Sequence, residues 1–244
     1  MSRFLLALSL VALGCAADAD EDATAEGGNS VLGGGSGADD ADDDGDGFTN
    51  AEEAEAGTNP DYEYSRPYTG GYNVGFCDTP PEPTGPTGTA TNANGVSYAA
   101  YTEGDVANNF TMIDQHGEDV DLYSFCGKTV MIALSAGWCG PCRGLAATMQ
   151  TVQDDYRDQD LQIIEIITAD NNYNEPDVDF LAGWANQYGF RDIPVLLGPQ
   201  PTSWTDELML WELDGYIPTV FIVGPDGTIL SADNDAHDPG SFLQ

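Results

Sequence analysis

Positive charge is what this sequence has least of. Its 244 residues carry 42 aspartates and glutamates against six lysines and arginines, a formal charge of −36, and Lys128 is the one lysine. So few cations cannot neutralise a phosphate backbone, which excludes charge-driven nucleic-acid binding. They cannot form the polybasic patch that holds a protein on an anionic bilayer either. Long apolar runs are missing too: nothing approaches the roughly 18 residues of a transmembrane helix. Histidine is scarce, and His116 and His237 stand isolated in turn-like sequence, where they read as surface residues. Five cysteines is an odd number, so paired disulfides leave one over. The hydrophobic share, 41%, suffices for the core of one ordinary domain.

The amino terminus gives the unpaired cysteine a use. Met1-Ser2-Arg3 is followed by an uncharged, mainly apolar run at 4–13. About 10 residues are too few to span a bilayer and fit the core of an export signal. The run ends in Ala12-Leu13-Gly14-Cys15, which resembles the lipobox of bacterial lipoproteins. That resemblance implies a signal peptide at 1–14 and a lipidated Cys15. The mature protein would sit in a bacterial cell envelope, facing periplasm or exterior, with the lipid as its membrane attachment. Ordinary signal cleavage near Ala16-Ala17 is the alternative.

Residues 15–61 are acidic and rich in Gly and Ala at their start, the composition of a flexible tether. Within it, Asp42, Asp44, Asp46, Gly47 and Glu53 occupy positions 1, 3, 5, 6 and 12 of a D-x-D-x-D-G-x5-E calcium loop. Phe48 would offer its carbonyl, and Asn50 stands at position 9. The flank resembles the single calcium loops of dockerin and thrombospondin type 3 repeats. A structural Ca²⁺ site at 42–53 is expected; a solvated acidic linker is the alternative. Residues 62–107 are crowded with Pro, Gly, Thr and Asn, and little regular structure is expected beyond a strand at 72–76.

From residue 108 to 244 the texture is that of alternating strands and helices. Segments 110–113 and 120–122 flank a turn and predict a hairpin. Residues 129–135 and 161–168 are continuous apolar runs, as strands covered on both faces would be. Residues 141–156 suit a helix, and so do 178–188, with Phe180, Leu181, Trp184, Ala185 and Tyr188 on one stripe. Segments 219–223 and 228–231 predict a second hairpin. The order β-β-β-α-β-α-β-β implies an α/β fold with a mixed sheet.

Trp138-Cys139-Gly140-Pro141-Cys142 lies between an apolar strand and a predicted helix. There the first cysteine meets unpaired helix N–H groups, which favour its thiolate. A redox pair fits better than half a zinc site, since no second CxxC follows. Ala136-Gly-Trp-Cys-Gly-Pro-Cys-Arg143 resembles the active site of the thioredoxin superfamily, and the leading hairpin resembles its envelope-tethered TlpA-like or redoxin branch. Tyr216-Ile217-Pro218-Thr219 resembles the cis-proline loop of that family. The resemblance implies a thioredoxin-like fold over 108–244, Cys139 as attacking thiolate and Cys142 as resolving thiol. It further implies Trp138 shielding the pair, Pro218 walling its other side and Ile217 offering backbone to bound peptide.

Some positions depart from the family. Its buried aspartate is replaced by Ala133, and the partner lysine on the next strand is missing. Glu165 is the ionisable group of that strand; it could accept a proton through water or be an edge-facing carboxylate. The peroxidatic threonine of peroxiredoxins is replaced by Ala136, which argues against a peroxidase. Cys77 and Cys126 remain, and in an exported protein they most simply pair; two buried free thiols are the alternative. The Gly-Pro dipeptide resembles the reducing members. The expected activity is therefore thiol–disulfide exchange on exported proteins with an external redox partner, by a monomer needing no cofactor for the redox chemistry. The rival reading is a calcium-stabilised surface module whose CxxC is only structural.

Overall fold

A computed structural model describes residues 41–91, 95–198, 216–232 and 238–243. Residues 1–40, which include the segment expected to be a signal peptide and Cys15, and also His237, lie outside the described residues.

The two apolar runs form the centre of the fold. Strand β5 (Thr129–Ser135) and strand β6 (Leu161–Ile167) are buried at all seven positions each. They pair in parallel, Ala133 opposite Glu165, joined by helix α2 (Gly140–Tyr156). A parallel pair needs such a crossover, and the helix covers one face of the sheet. Helix α3 (Val178–Tyr188) follows, capped by the Asp177 carboxylate, which accepts from Phe180 N–H, and ended by Gly189. Strand β7 (Val195–Leu197) adds to β6 in parallel. Strands β8 (Thr219–Val223) and β9 (Ile229–Ala232) complete the other side, each antiparallel to its neighbour, so that the sheet order is β7-β6-β5-β8-β9. With two helices on one face, this is a thioredoxin-like α/β fold.

The alternation along the strands sorts the core into two layers. Met131, Ala133 and Ile163 face Leu145 and Met149 of α2. Ile132, Leu134, Ile164 and Ile166 face a second layer that includes Tyr72, Tyr101, Phe110, Val120 and Phe125. That layer is built by strands β3 (Thr111–Ile113) and β4 (Asp119–Asp121), which form the expected hairpin, together with residues before and after it.

Three expectations are corrected. Residues 72–76 form no strand, because their backbone is satisfied otherwise: Asn73 N–H donates to the Gln162 side chain, and Gly75 N–H donates to the Ser124 carbonyl. The 62–107 segment is more ordered than its composition implied. It contains strands β1 (Gly88–Thr91) and β2 (Ser97–Ala100), paired antiparallel. The Tyr62 hydroxyl donates to the Tyr123 carbonyl, and a Cys77–Cys126 disulfide with Cα atoms 5.6 Å apart joins the segment to the domain. The element order also gains β7, too short and too close to Pro194 to register as a strand in the sequence.

Candidate active site

Chain direction places the redox pair. Four residues separate the end of β5 from the start of α2, so the chain turns over the carboxyl edge of the sheet and enters the helix at Cys139, its N-cap. The backbone N–H of Cys142 donates to Cys139 Sγ at 3.2 Å, and Pro141 sits in the first turn, where no helical N–H is needed. Cys139 and Cys142 are joined as a disulfide with Cα atoms 5.3 Å apart; Cys142 is fully buried and Cys139 is 3% exposed. When the bond is reduced, the helix N-terminus favours charge on Cys139, the sulfur at the cap, over Cys142 inside.

The opposite wall is the loop before β8. The Ile217–Pro218 peptide is cis, and the Ile217 carbonyl oxygen lies 3.6 Å from Cys139 Sγ. The Thr219 hydroxyl donates to the Tyr216 carbonyl and fixes the turn. Ala136, Ala169 and Ile217 pack around the two sulfurs. Trp138 is 40% exposed beside them.

Glu165 is not an edge carboxylate. It lies in β6 between β5 and β7, opposite Ala133 and Val195, with no exposed surface. One carboxylate oxygen accepts from the Trp184 indole N–H at 2.8 Å, while the other, Oε1, is buried without a hydrogen-bond partner. The Ser135 hydroxyl is buried on the same face and is also unsatisfied. Burial pushes the Glu165 carboxyl up to about 7, against a smaller opposing contribution from the Trp184 indole. The sequence offered no signal for the Trp184 contact, since Trp184 also fits the apolar stripe of α3.

The acidic loop brings Asp42, Asp44 and Asp46 together, with an oxygen from each within 4.8 Å of the others. Gly47 takes a φ of +99°, which the sharp turn needs. Helix α1 (Asn50–Ala56) leaves the loop, capped by Thr49 and Glu52 in a reciprocal capping box. Oxygens of Asp44, Asp46 and Glu53 are buried with no partner. Burial and the neighbouring Asp44 and Asp46 push Glu53 up to about 7, and Asp46 is raised as well. Unsatisfied, mutually repelling carboxylates at this spacing fit a divalent cation with oxygen preference. The Asn50 amide, at the ninth position of the loop, accepts from Asp43 N–H and donates to the Asp43 carboxylate.

Residues 104–232 match the family model described as the AhpC/TSA family. The chain belongs to this family. A second model, the bacterial TSP3 repeat, matches residues 42–60, ahead of the AhpC/TSA domain. The thiol–disulfide oxidoreductase ResA of Bacillus subtilis is 26% identical over 140 residues, covering 57% of this chain and 71% of that protein. Thioredoxin of Griffithsia pacifica is 34% identical over 70 residues, covering 29% of this chain and 54% of its own length. Among solved structures, the thioredoxin domain of a thiol–disulfide oxidoreductase from Bacteroides vulgatus aligns over 59% of this chain and all of its own, at 21% identity and a TM-score of 0.47. Among the described residues, no helix is long and apolar enough to cross a membrane.

The raised carboxyl of Glu165 carries a stability prediction. In the unfolded chain it titrates near 4.5 and in the folded protein near 7. The folded state therefore holds this proton more tightly, and stability is lost as pH rises from 4.5 through 7. The penalty reaches ~3 kcal/mol above pH 7. Glu165→Gln removes the titration, so the variant's unfolding free energy relative to wild type should rise by a similar amount between pH 5 and pH 8 in urea titrations. A difference that does not change with pH contradicts the assignment.

Proposed function

We propose that this protein is an exported, lipid-anchored thiol–disulfide oxidoreductase that reduces disulfides in other exported proteins. The observation carrying this reading is the Cys139–Cys142 pair, set at the start of α2 and faced by the Ile217 carbonyl. In the reduced protein, the Cys139 thiolate attacks one sulfur of a substrate disulfide. A mixed disulfide forms and the other substrate sulfur leaves as a thiolate, which takes a proton from solvent. Cys142, on losing its proton, attacks Cys139 Sγ and expels the second substrate thiolate. The substrate is left reduced by two electrons and the protein oxidised, so an external dithiol donor must restore it. Glu165, buried with one oxygen free and ordinarily protonated only up to about neutral pH, is assigned as the proton acceptor for Cys142 through water. Trp138 and Ile217 supply the surface and backbone against which the substrate lies. Cys15 is the assigned anchor, and the names of the relatives, thiol–disulfide oxidoreductases among them, support the reaction class.

The acidic loop is assigned a structural Ca²⁺, held by Asp42, Asp44, Asp46, the Phe48 carbonyl and Glu53. The ion would supply the positive charge that the buried carboxylate oxygens lack, and it would have no part in the redox steps. Ala136, at the place of a peroxidatic threonine, speaks against peroxide as the substrate.

Two measurements test these assignments. In insulin reduction with dithiothreitol, the wild-type protein should accelerate precipitation, and Cys139→Ser should return it to the uncatalysed rate. An inactive wild type would favour the structural reading of the CxxC. In calorimetry, Ca²⁺ at about 100 times Kd contributes roughly 2.7 kcal/mol, a rise in Tm of about 5–10 °C for a domain of this size. Asp44→Asn should abolish that rise. An equal rise in the variant would place the ion elsewhere.

A further inference from the structure

Among the described residues, large apolar side chains exposed to solvent are few, and three of them surround the redox pair: Trp138 at 40%, Tyr173 at 69% and Tyr216 at 65%. Trp138 and Tyr173 are stacked, ring centroids 4.9 Å apart and planes 20° from parallel. Tyr173 comes from the loop after β6, and several contacts hold that loop in place. The Asp170 carboxylate accepts from the backbone N–H groups of Asn172 and Asn174. Arg143, immediately after Cys142, donates to the Gly137 carbonyl and to the Asn171 side chain, both at 2.8 Å, tying the loop to the helix that carries the cysteines. Gly137 N–H donates to the Ala169 carbonyl. A Cβ at Gly137 would lie 2.6 Å from the Phe180 ring and 2.8 Å from the Asp170 backbone, so only glycine lets the loop come this close. Tyr173 itself has a φ of +65°, a region that bulky residues rarely adopt and that is enriched at functional positions. A large aromatic ring is thus held, in a disfavoured backbone conformation, on the rim of the cysteine pair.

The surroundings specify what the rim would take. Glu175, Asp177 and Asp179, all exposed, follow Tyr173 within six residues. Arg143, the nearby cation, is occupied by Gly137 and Asn171. The whole chain is at −36. An exposed aromatic face on so acidic a segment attracts cations, through the ring quadrupole and through the field.

Resting on the oxidoreductase reading above, we propose that the Trp138–Tyr173 stack is a selectivity site. It receives a lysine or arginine side chain of an extended substrate segment, close in sequence to the cysteine that Cys139 attacks. Basic polypeptide disulfides are the preferred substrates, and Tyr173 sets that preference without taking part in the thiol chemistry.

The test uses two synthetic disulfide peptides that differ only in Lys or Glu two residues from the cysteine. Their reduction by the full, reduced protein is followed by separation of products. Wild type should favour the Lys peptide in kcat/KM, with the preference shrinking as salt is raised. Tyr173→Asn keeps a residue that tolerates positive φ and removes the ring; it should lower the Lys:Glu ratio about 3- to 5-fold. Tyr173→Phe should retain most of the ratio. An unchanged ratio in Tyr173→Asn, or no preference in wild type, overturns the proposal and leaves the oxidoreductase reading standing. A wild type inert toward both peptides overturns that reading and the proposal with it.

Discussion

The turn between β5 and α2 is the constraint on which the site depends. Seven buried residues of β5 fix where the strand ends, and only Ala136, Gly137, Trp138 and Cys139 lie between it and the helix. Cys139 therefore becomes the N-cap, with its sulfur accepting from Cys142 N–H. The same geometry makes the two sulfurs inequivalent: one sits at the positive end of the helix at the rim, the other is sealed inside. The antiparallel partner of β5, β8, brings Ile217 and Pro218 to the opposite wall. Sheet order, helix start and loop position are thus one arrangement, set by the burial of two apolar strands.

This dependence also explains what was legible in the sequence. The runs 129–135 and 219–223 matched β5 and β8 in full, and the periodicity at 178–188 matched α3, because burial on both faces or on one stripe leaves a direct trace in residue type. The helix over 141–156 was readable from Pro141 and from the CxxC spacing, and α2 begins one residue earlier, at Gly140. Contacts made by backbone or by single polar groups were not readable. Asn73 and Gly75 look like strand residues but are satisfied by Gln162 and Ser124. Strand β7 has only three residues and is held by pairing with β6. The Trp184–Glu165 and Trp138–Tyr173 contacts join residues 19 and 35 positions apart and leave no local pattern.

The acidity has more than one role. In the 42–53 loop it is concentrated and partly buried, with three carboxylate oxygens lacking a partner, which is the chemistry of an oxygen-donor cation site. Across residues 96–244, 24 acidic groups face four basic ones, so repulsion between surface charges accompanies the folded state and is screened by salt. The same field surrounds the rim of the cysteine pair, where it favours basic segments over acidic ones. Glu165 stands apart from both groups: it is a lone carboxyl in an apolar layer, held by one indole and pushed by burial to titrate near neutrality.

The central claim is that the start of α2 makes Cys139 the nucleophile and Cys142 its buried partner. The pH dependence of alkylation by iodoacetamide in the reduced protein, with each cysteine resolved by mass spectrometry, tests it most directly. Cys139 should react with an apparent pKa at or below about 7, under the ~8.5 of a free thiol, while Cys142 stays unreactive in the folded state. Equal reactivity of the two thiols, or a Cys139 midpoint near that of a free thiol, would contradict the account.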